Sequence, residues 1–193
     1  IGDVLASSIL CNNLKAIYPK AQVDYLIYPF TKPVVENNPN IDNIILFTDE
    51  IKNSKIKFIK FLSKIRKTKY DIVIDAYGKL ESAMITRFSG APKKIGYKQK
   101  EKLGAYNFPV DHHDHPKTFA GLAIERRENL FKDLMTKPID NLPKLFVTGK
   151  EKQEALDFFK SNKKPTRTQI TRFLWVFKFR TSYIVLALQR VWD

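Results

Sequence analysis

The residues best suited to chemistry stand at the start of the sequence, where Asp3 follows Gly2. Apolar residues from Val4 to Tyr18 recur at helical spacing and Pro19 ends the pattern, so Asp3 is predicted to lie in the first turn of a helix. Unpaired backbone N–H groups and the positive end of the helix dipole keep a carboxylate ionised there. Gly2 lets a ligand approach the backbone closely. Asp3 is therefore either a helix cap or a carboxylate beside a bound ligand.

All three histidines of the chain fall within four positions, at His112, His113 and His115, among Asp111 and Asp114. Metal binding is one interpretation, although ligands so close in sequence rarely all reach one ion without a more distant partner. A solvated loop and a contact with phosphate are the other interpretations. We expect no metal site here.

A run of basic residues marks the middle of the chain, at Lys52, Lys55, Lys57, Lys60, Lys64, Arg66, Lys67 and Lys69. Apolar residues between them recur at helical spacing, which predicts an amphipathic helix over 55–67. Its basic face is either simply solvated, or it binds nucleic acid or an anionic membrane. No recognised nucleic-acid module accompanies the charge, so nucleic acid is the weakest of these interpretations.

Composition limits the class of protein. The 193 residues are 44% apolar, enough for one good-sized domain, and 34 basic against 20 acidic residues give a formal charge of +14. This excess favours anionic partners. The lone cysteine, Cys11, is expected to be a core residue in a reducing compartment. No membrane-spanning run or signal peptide is recognisable, and a start at Ile1 without a preceding strand indicates a truncated N-terminus.

Strands alternate with helices along most of the chain, which predicts a doubly wound α/β domain. The strongly apolar strands at 23–27 and 71–76 are expected to be central and buried in one parallel sheet. The other predicted elements are strands at 43–47 and 93–97 and helices at 80–88, 119–135 and 150–159.

Five motifs occur in one order at typical spacings: Ile-Gly-Asp-Val-Leu at 1–5, Tyr-Pro at 18–19, Asn-Pro-Asn-Ile-Asp at 38–42, Tyr-Asp-Ile-Val-Ile-Asp at 70–75, and Ser-Gly-Ala-Pro-Lys-Lys-Ile-Gly-Tyr at 89–97. Together they resemble the N-terminal half of glycosyltransferase family 9, the lipopolysaccharide heptosyltransferases, over about residues 1–160. The resemblance implies the GT-B architecture, in which two Rossmann-like domains face each other across a cleft. It makes residues 1–160 the acceptor-side domain, with the first strand missing.

The resemblance places Asp3 on the family's catalytic base, which takes a proton from the acceptor hydroxyl during an inverting transfer. Gly2 would make room for the ligand. The implied donor is a nucleotide sugar, ADP-heptose, which is a substrate rather than a cofactor, and no metal is implied because N–H groups and basic side chains stabilise the leaving diphosphate.

The implied acceptor is the lipopolysaccharide core, which is phosphorylated. Arg87, Lys93 and Lys94, with His115, are expected to lie near Asp3 and to bind this acceptor. The resemblance also implies a cytoplasmic protein in peripheral contact with the anionic inner membrane.

Residues 161–193 differ in character from the rest. They carry seven basic residues and one acidic residue, hold both tryptophans and lack glycine. We expect a tail outside the family, from a change of reading frame, that forms a loose helix or a disordered segment. The donor half is then missing and the chain is inactive as given. Two alternatives are a non-catalytic remnant and a basic α/β domain that binds anions or nucleic acid.

Overall fold

The computed structural model describes residues 2–98, 103–111, 114–134, 142–161 and 185–187. Helices and strands alternate along most of this length. The strands are β1 (Asp24–Ile27), β2 (Asn43–Leu46), β3 (Ile72–Asp75), β4 (Lys93–Tyr97), β5 (Phe108–Val110) and β6 (Val185–Ala187). The helices are α1 (Gly2–Ile17), α2 (Asp49–Asn53), α3 (Lys55–Thr68), α4 (Leu80–Phe88), α5 (Leu122–Phe131) and α6 (Gly149–Ser161), with 3-10 turns at Pro29–Val34 and Lys132–Leu134.

Parallel strands form the centre of the fold. β1 pairs with β2, and β3, β4 and β5 follow one another in parallel register. Every residue of β1 and β3 is buried. This confirms the prediction of an α/β fold with parallel strands and of two strongly apolar strands in the interior.

Helices cover both faces of these strands. Successive strand residues point to opposite sides, so each buried strand contributes apolar side chains to two hydrophobic clusters. Tyr25 and Ile27 of β1 join the hydrophobic cluster under α1 and α5, whereas Leu26 joins the cluster under α3 and α4. In β3, Val73 likewise faces the α3 side. Asp3 at the start of α1 and the basic helix α3 therefore belong to opposite faces of the fold.

The expectation of one continuous sheet was wrong. The hydrogen bonds define a two-stranded sheet, β1–β2, and a four-stranded sheet in the order β5-β4-β3-β6. β6 pairs antiparallel with β3 and also contacts β1. Because no hydrogen-bonded ladder links β1 with β6 or β3, the two sheets stay separate.

β6 comes from the segment that we expected to be a loose helix or a disordered tail. For residues 185–187 that expectation was wrong, since their backbone completes a ladder with Ile72–Ile74. The other residues of 162–193 lie outside the described part of the chain. The predicted change of reading frame stays a prediction.

Gly96 leaves room for a ring that packs directly on the backbone of β4. A Cβ at this position would come within 2.4 Å of the Tyr106 ring. Since overpacking of this kind typically costs 1–3 kcal/mol, we expect Gly96→Ala to lower the free energy of unfolding by about 2 kcal/mol in urea denaturation. Gly149→Ala is the control, because a Cβ there meets nothing within 4 Å. Equal stabilities for the two variants would contradict the packing argument.

Candidate active site

The carboxyl ends of the parallel strands meet at one edge of the fold. In β3 and β4, Asp75 is in register with Gly96, and Tyr97 is in register with Val110 of β5. Helix α1 leads into the amino end of β1, so its first turn, with Asp3, lies near this edge, where Val4 shares a buried cluster with Ala76 and Tyr97. Arg127 pairs with Asp3 there. Burial, the main cause, raises the pKa of Tyr97 to about 12, so the phenol stays protonated at neutral pH. Asp3 and the strand ends therefore share one region, which we call the carboxyl edge.

The Asp3 carboxylate is held on one side and open on the other. Arg127 Nη2 donates to Asp3 Oδ1 over 3.1 Å, while 48% of the Asp3 side chain is exposed. Gly2 beside it has open space, since a Cβ there would meet nothing within 4 Å. The carboxylate can accept a proton from a hydroxyl group brought to this edge.

Arg127 is a candidate site residue that the sequence patterns did not predict. It is only 9% exposed and makes three contacts: Nη2 with Asp3, Nε with Ser7 Oγ at 3.0 Å, and Nη1 with the Ala123 carbonyl at 2.8 Å. The guanidinium therefore links α5 to the first turns of α1 and fixes the Asp3 side chain between them.

A signal for Arg127 was present in the sequence. In α5, Ile124, Arg127 and Phe131 follow helical spacing and share the buried face. A charge on the apolar face of a helix is costly unless it is paired, so its position predicts a carboxylate partner. The sequence alone does not say which carboxylate that is.

His115 lies on the loop between β5 and α5. His115 itself is exposed, and its neighbour Asp114 pairs with Arg126 at 3.1 Å. Buried Glu125 anchors the loop, accepting from the backbone N–H groups of Lys117 and Thr118 at 2.6–3.0 Å. His115 thus lies on a loop anchored to α5, without a contact that assigns it a role.

Asp75 is a buried carboxyl group below this edge. It accepts from the N–H groups of Tyr77 and Gly78 at 2.8 Å each and from the Tyr106 hydroxyl at 2.7 Å. Burial raises the pKa of the Asp75 carboxyl, although these donors act in the opposite direction. The network fixes the turn after β3 and so stabilises the carboxyl edge.

The raised pKa of Asp75 makes stability depend on pH. The folded protein holds this proton more tightly than the unfolded chain, whose pKa is near 3.8. Its contribution is therefore complete below pH 3.8 and is lost as pH rises through the folded pKa. We expect Asp75→Asn, whose amide can still bond all three partners, to gain stability relative to wild type as pH rises from about 4 to 7. Urea denaturation at several pH values measures this, and a constant difference would contradict it.

Three of the predicted acceptor residues lie elsewhere. Lys93 and Lys94 begin β4, in register with Ile72 and Val73 at the amino ends of the strands, and the Lys93 ammonium lies 4.7 Å from the Phe108 ring centroid. Arg87 is in the last turn of α4 and donates to the backbone carbonyls of Leu103 and Gly104. Helices between parallel strands end where the next strand begins, so these three side chains lie toward the amino ends of the strands, away from the carboxyl edge. Their predicted role in acceptor binding stays a prediction.

The described residues contain no cluster suited to a metal ion, since no group of three or more His, Cys, Asp or Glu side chains is placed to hold one. His112 and His113 lie outside those residues. Cys11 is fully buried, and burial raises the pKa of its thiol. This placement agrees with a packing role for that side chain.

Comparison with known proteins identifies the class. The model of glycosyltransferase family 9 (heptosyltransferase) matches residues 58–184, so the chain belongs to this family. The match runs past the domain boundary predicted at residue 160, and that boundary stays a prediction.

Particular relatives agree with this assignment. Lipopolysaccharide heptosyltransferase 3 of Escherichia coli is 29% identical over 54% of this chain and 32% of its own length. Two solved structures share the fold. The glycosyl transferase family 9 protein of Veillonella parvula has a TM-score of 0.59 and 20% identity, over 86% of this chain and 47% of that one. The E. coli ADP-heptose lipopolysaccharide heptosyltransferase II has a TM-score of 0.59 and 20% identity, over 80% of this chain and 46% of that one. The chain thus matches about a third of the curated relative and just under half of each solved chain.

Proposed function

We propose that this chain is the acceptor-side half of an inverting heptosyltransferase that acts on the lipopolysaccharide core with ADP-heptose as donor. Family membership supports the transferase class. The observation that carries the proposal is the Asp3 carboxylate, which is half exposed at the carboxyl edge and held by a buried arginine. In open α/β folds, ligands bind at this edge of the strands.

The proposed reaction is a single displacement. Asp3 takes the proton of the acceptor hydroxyl as its oxygen attacks the anomeric carbon of the heptose. The bond from that carbon to the diphosphate oxygen breaks, and ADP leaves with the electron pair, so the configuration at the anomeric carbon inverts. Arg127 holds the carboxylate in position, and the donor half supplies the contacts to the diphosphate. We propose no cofactor and no metal for this step.

Acceptor contacts are proposed only for groups at the carboxyl edge. Gly2 leaves space next to the base, and His115 lies on the loop that borders it. Arg87, Lys93 and Lys94 are left out because they lie at the amino ends of the strands.

We further propose that the protein acts on the cytoplasmic side of the inner membrane as a peripheral protein. Within the described residues, no helix is long and apolar enough to cross a bilayer.

The test is heptosyl transfer measured on two proteins, these 193 residues alone and the same chain joined to the donor-binding half of a family relative. We expect transfer to a lipopolysaccharide core acceptor only from the joined protein, with inverted anomeric configuration in the product. Transfer by the 193 residues alone would contradict the proposed division of labour. Retained configuration would contradict the proposed mechanism.

A further inference from the structure

The outward face of α3 exposes two large aliphatic side chains. Phe61 and Ile65 fix the opposite face in the core, while Ile56 is 69% exposed and Ile59 is 65% exposed. Residues three apart lie side by side on a helix, so these isoleucines form one small apolar surface. A merely solvated helix face explains the lysines of α3, but it does not explain two adjacent isoleucines directed away from the core.

Positive charge surrounds these isoleucines. α3 carries six basic residues and no acidic one. Among the described residues, only Lys57 of these six has an acidic partner, Glu50 at 2.7 Å. Lys60, Lys64 and Lys67 are exposed and follow Ile56 on the outward side of the helix. An apolar centre with a basic rim is complementary to a surface that offers hydrocarbon beneath anionic headgroups.

The location of this face suits a membrane-bound acceptor. α2 and α3 follow the carboxyl end of β2, which is parallel to β1. The first turns of α3, with Ile56 and Ile59, therefore lie toward the carboxyl edge. Asp3 lies near the same edge, on the opposite face of the strands. A bilayer that contacts these turns lies next to the edge where the acceptor is proposed to bind.

We propose that the outward face of α3 is a docking surface for an anionic lipid bilayer, with Ile56 and Ile59 inserted among the acyl chains and the lysines paired with lipid phosphates. The proposed function supplies the biological reason for membrane binding, and only that reason rests on it. Its test uses binding alone, so its failure and the failure of the transferase proposal are distinguishable.

The experiment is cosedimentation of the full 193-residue chain with phosphatidylcholine vesicles, with and without phosphatidylglycerol. We expect binding only to the anionic vesicles and a steep decline as salt rises from about 0.1 to 0.5 M. Each lysine near such a surface contributes about fivefold in affinity, so the triple variant Lys60→Gln, Lys64→Gln, Lys67→Gln should bind about a hundredfold more weakly. The double variant Ile56→Ser, Ile59→Ser should lose at least about tenfold while keeping the salt dependence.

The matched control changes exposed residues of α6: Lys150→Gln, Lys152→Gln and Leu156→Ser. It should bind like wild type, and circular dichroism should show unchanged helix content in every variant. The proposal is overturned if neutral vesicles bind equally, if the isoleucine variant binds like wild type, or if the control loses as much. Binding to RNA with the same lysine dependence, without vesicle binding, overturns it in favour of nucleic acid.

Discussion

Replacing Asp3 by asparagine is expected to remove most heptosyl transfer from the protein joined to a donor-binding half. Asparagine keeps the size of the side chain and can still accept from Arg127, but it cannot take up the proton of the acceptor hydroxyl. A positioned general base contributes on the order of 10²–10⁴-fold, so kcat should fall by that factor while KM for the acceptor changes little. Steady-state kinetics with both substrates varied measures the two separately.

Asp49→Asn provides the matched control. Asp49 is also an exposed aspartate in the first turn of a helix, so the substitution alters the helix terminus in the same way. We expect near-normal kcat from this control. Near-normal kcat from Asp3→Asn as well would show that Asp3 is a helix cap and not the base.

Replacing Arg127 by glutamine is expected to lower kcat by about 10- to 100-fold, because small displacements of a catalytic group have costs of this size. Arg127 is a positioning residue: its three contacts to Asp3, Ser7 and Ala123 fix the carboxylate relative to both helices. Arg127→Lys keeps the charge without the three-way geometry and should recover only part of kcat. KM for the acceptor should stay within about threefold if the residue acts through Asp3.

Arg126→Gln separates this role from a general effect of positive charge. Arg126 neighbours Arg127 in α5, but it pairs with the exposed carboxylate of Asp114. We expect the Arg126 variant to turn over at nearly the wild-type rate. Thermal unfolding must accompany the kinetics, because removal of a buried arginine also costs stability. A loss of kcat that matches the unfolded fraction alone would refute the positioning role.

Local patterns explain which parts of the fold could be predicted. α4 at 80–88 and β4 at 93–97 have the predicted bounds, because an apolar helical pattern, the turn at Gly90 and the strand that follows are encoded by neighbouring residues. The start of α1 near Asp3 could be predicted for the same reason, because neighbouring residues encode it. β5 escaped prediction because it is short and has Pro109 at its centre, a residue that weakens a strand pattern.

Contacts between distant residues explain what could not be predicted. Asp3 and Arg127 meet across 124 positions of the chain, and no local pattern specifies that pairing. The antiparallel pairing of residues 185–187 with β3 is also a tertiary outcome. Lys93 and Lys94 illustrate a third reason: their strand was predicted correctly, but residues that begin a parallel strand lie at the opposite edge from those that end it.

The acceptor site is tested most directly by mapping where a soluble lipopolysaccharide core oligosaccharide binds, using amide chemical shifts of this chain. We expect the largest changes at the carboxyl edge, on Asp3, Tyr97, His115 and Arg127. In Arg127→Gln the changes at the other three residues should persist, because the acceptor still binds with nearly unchanged affinity. Changes concentrated on Arg87, Lys93 and Lys94 at the amino ends of the strands would contradict the assignment of the acceptor site.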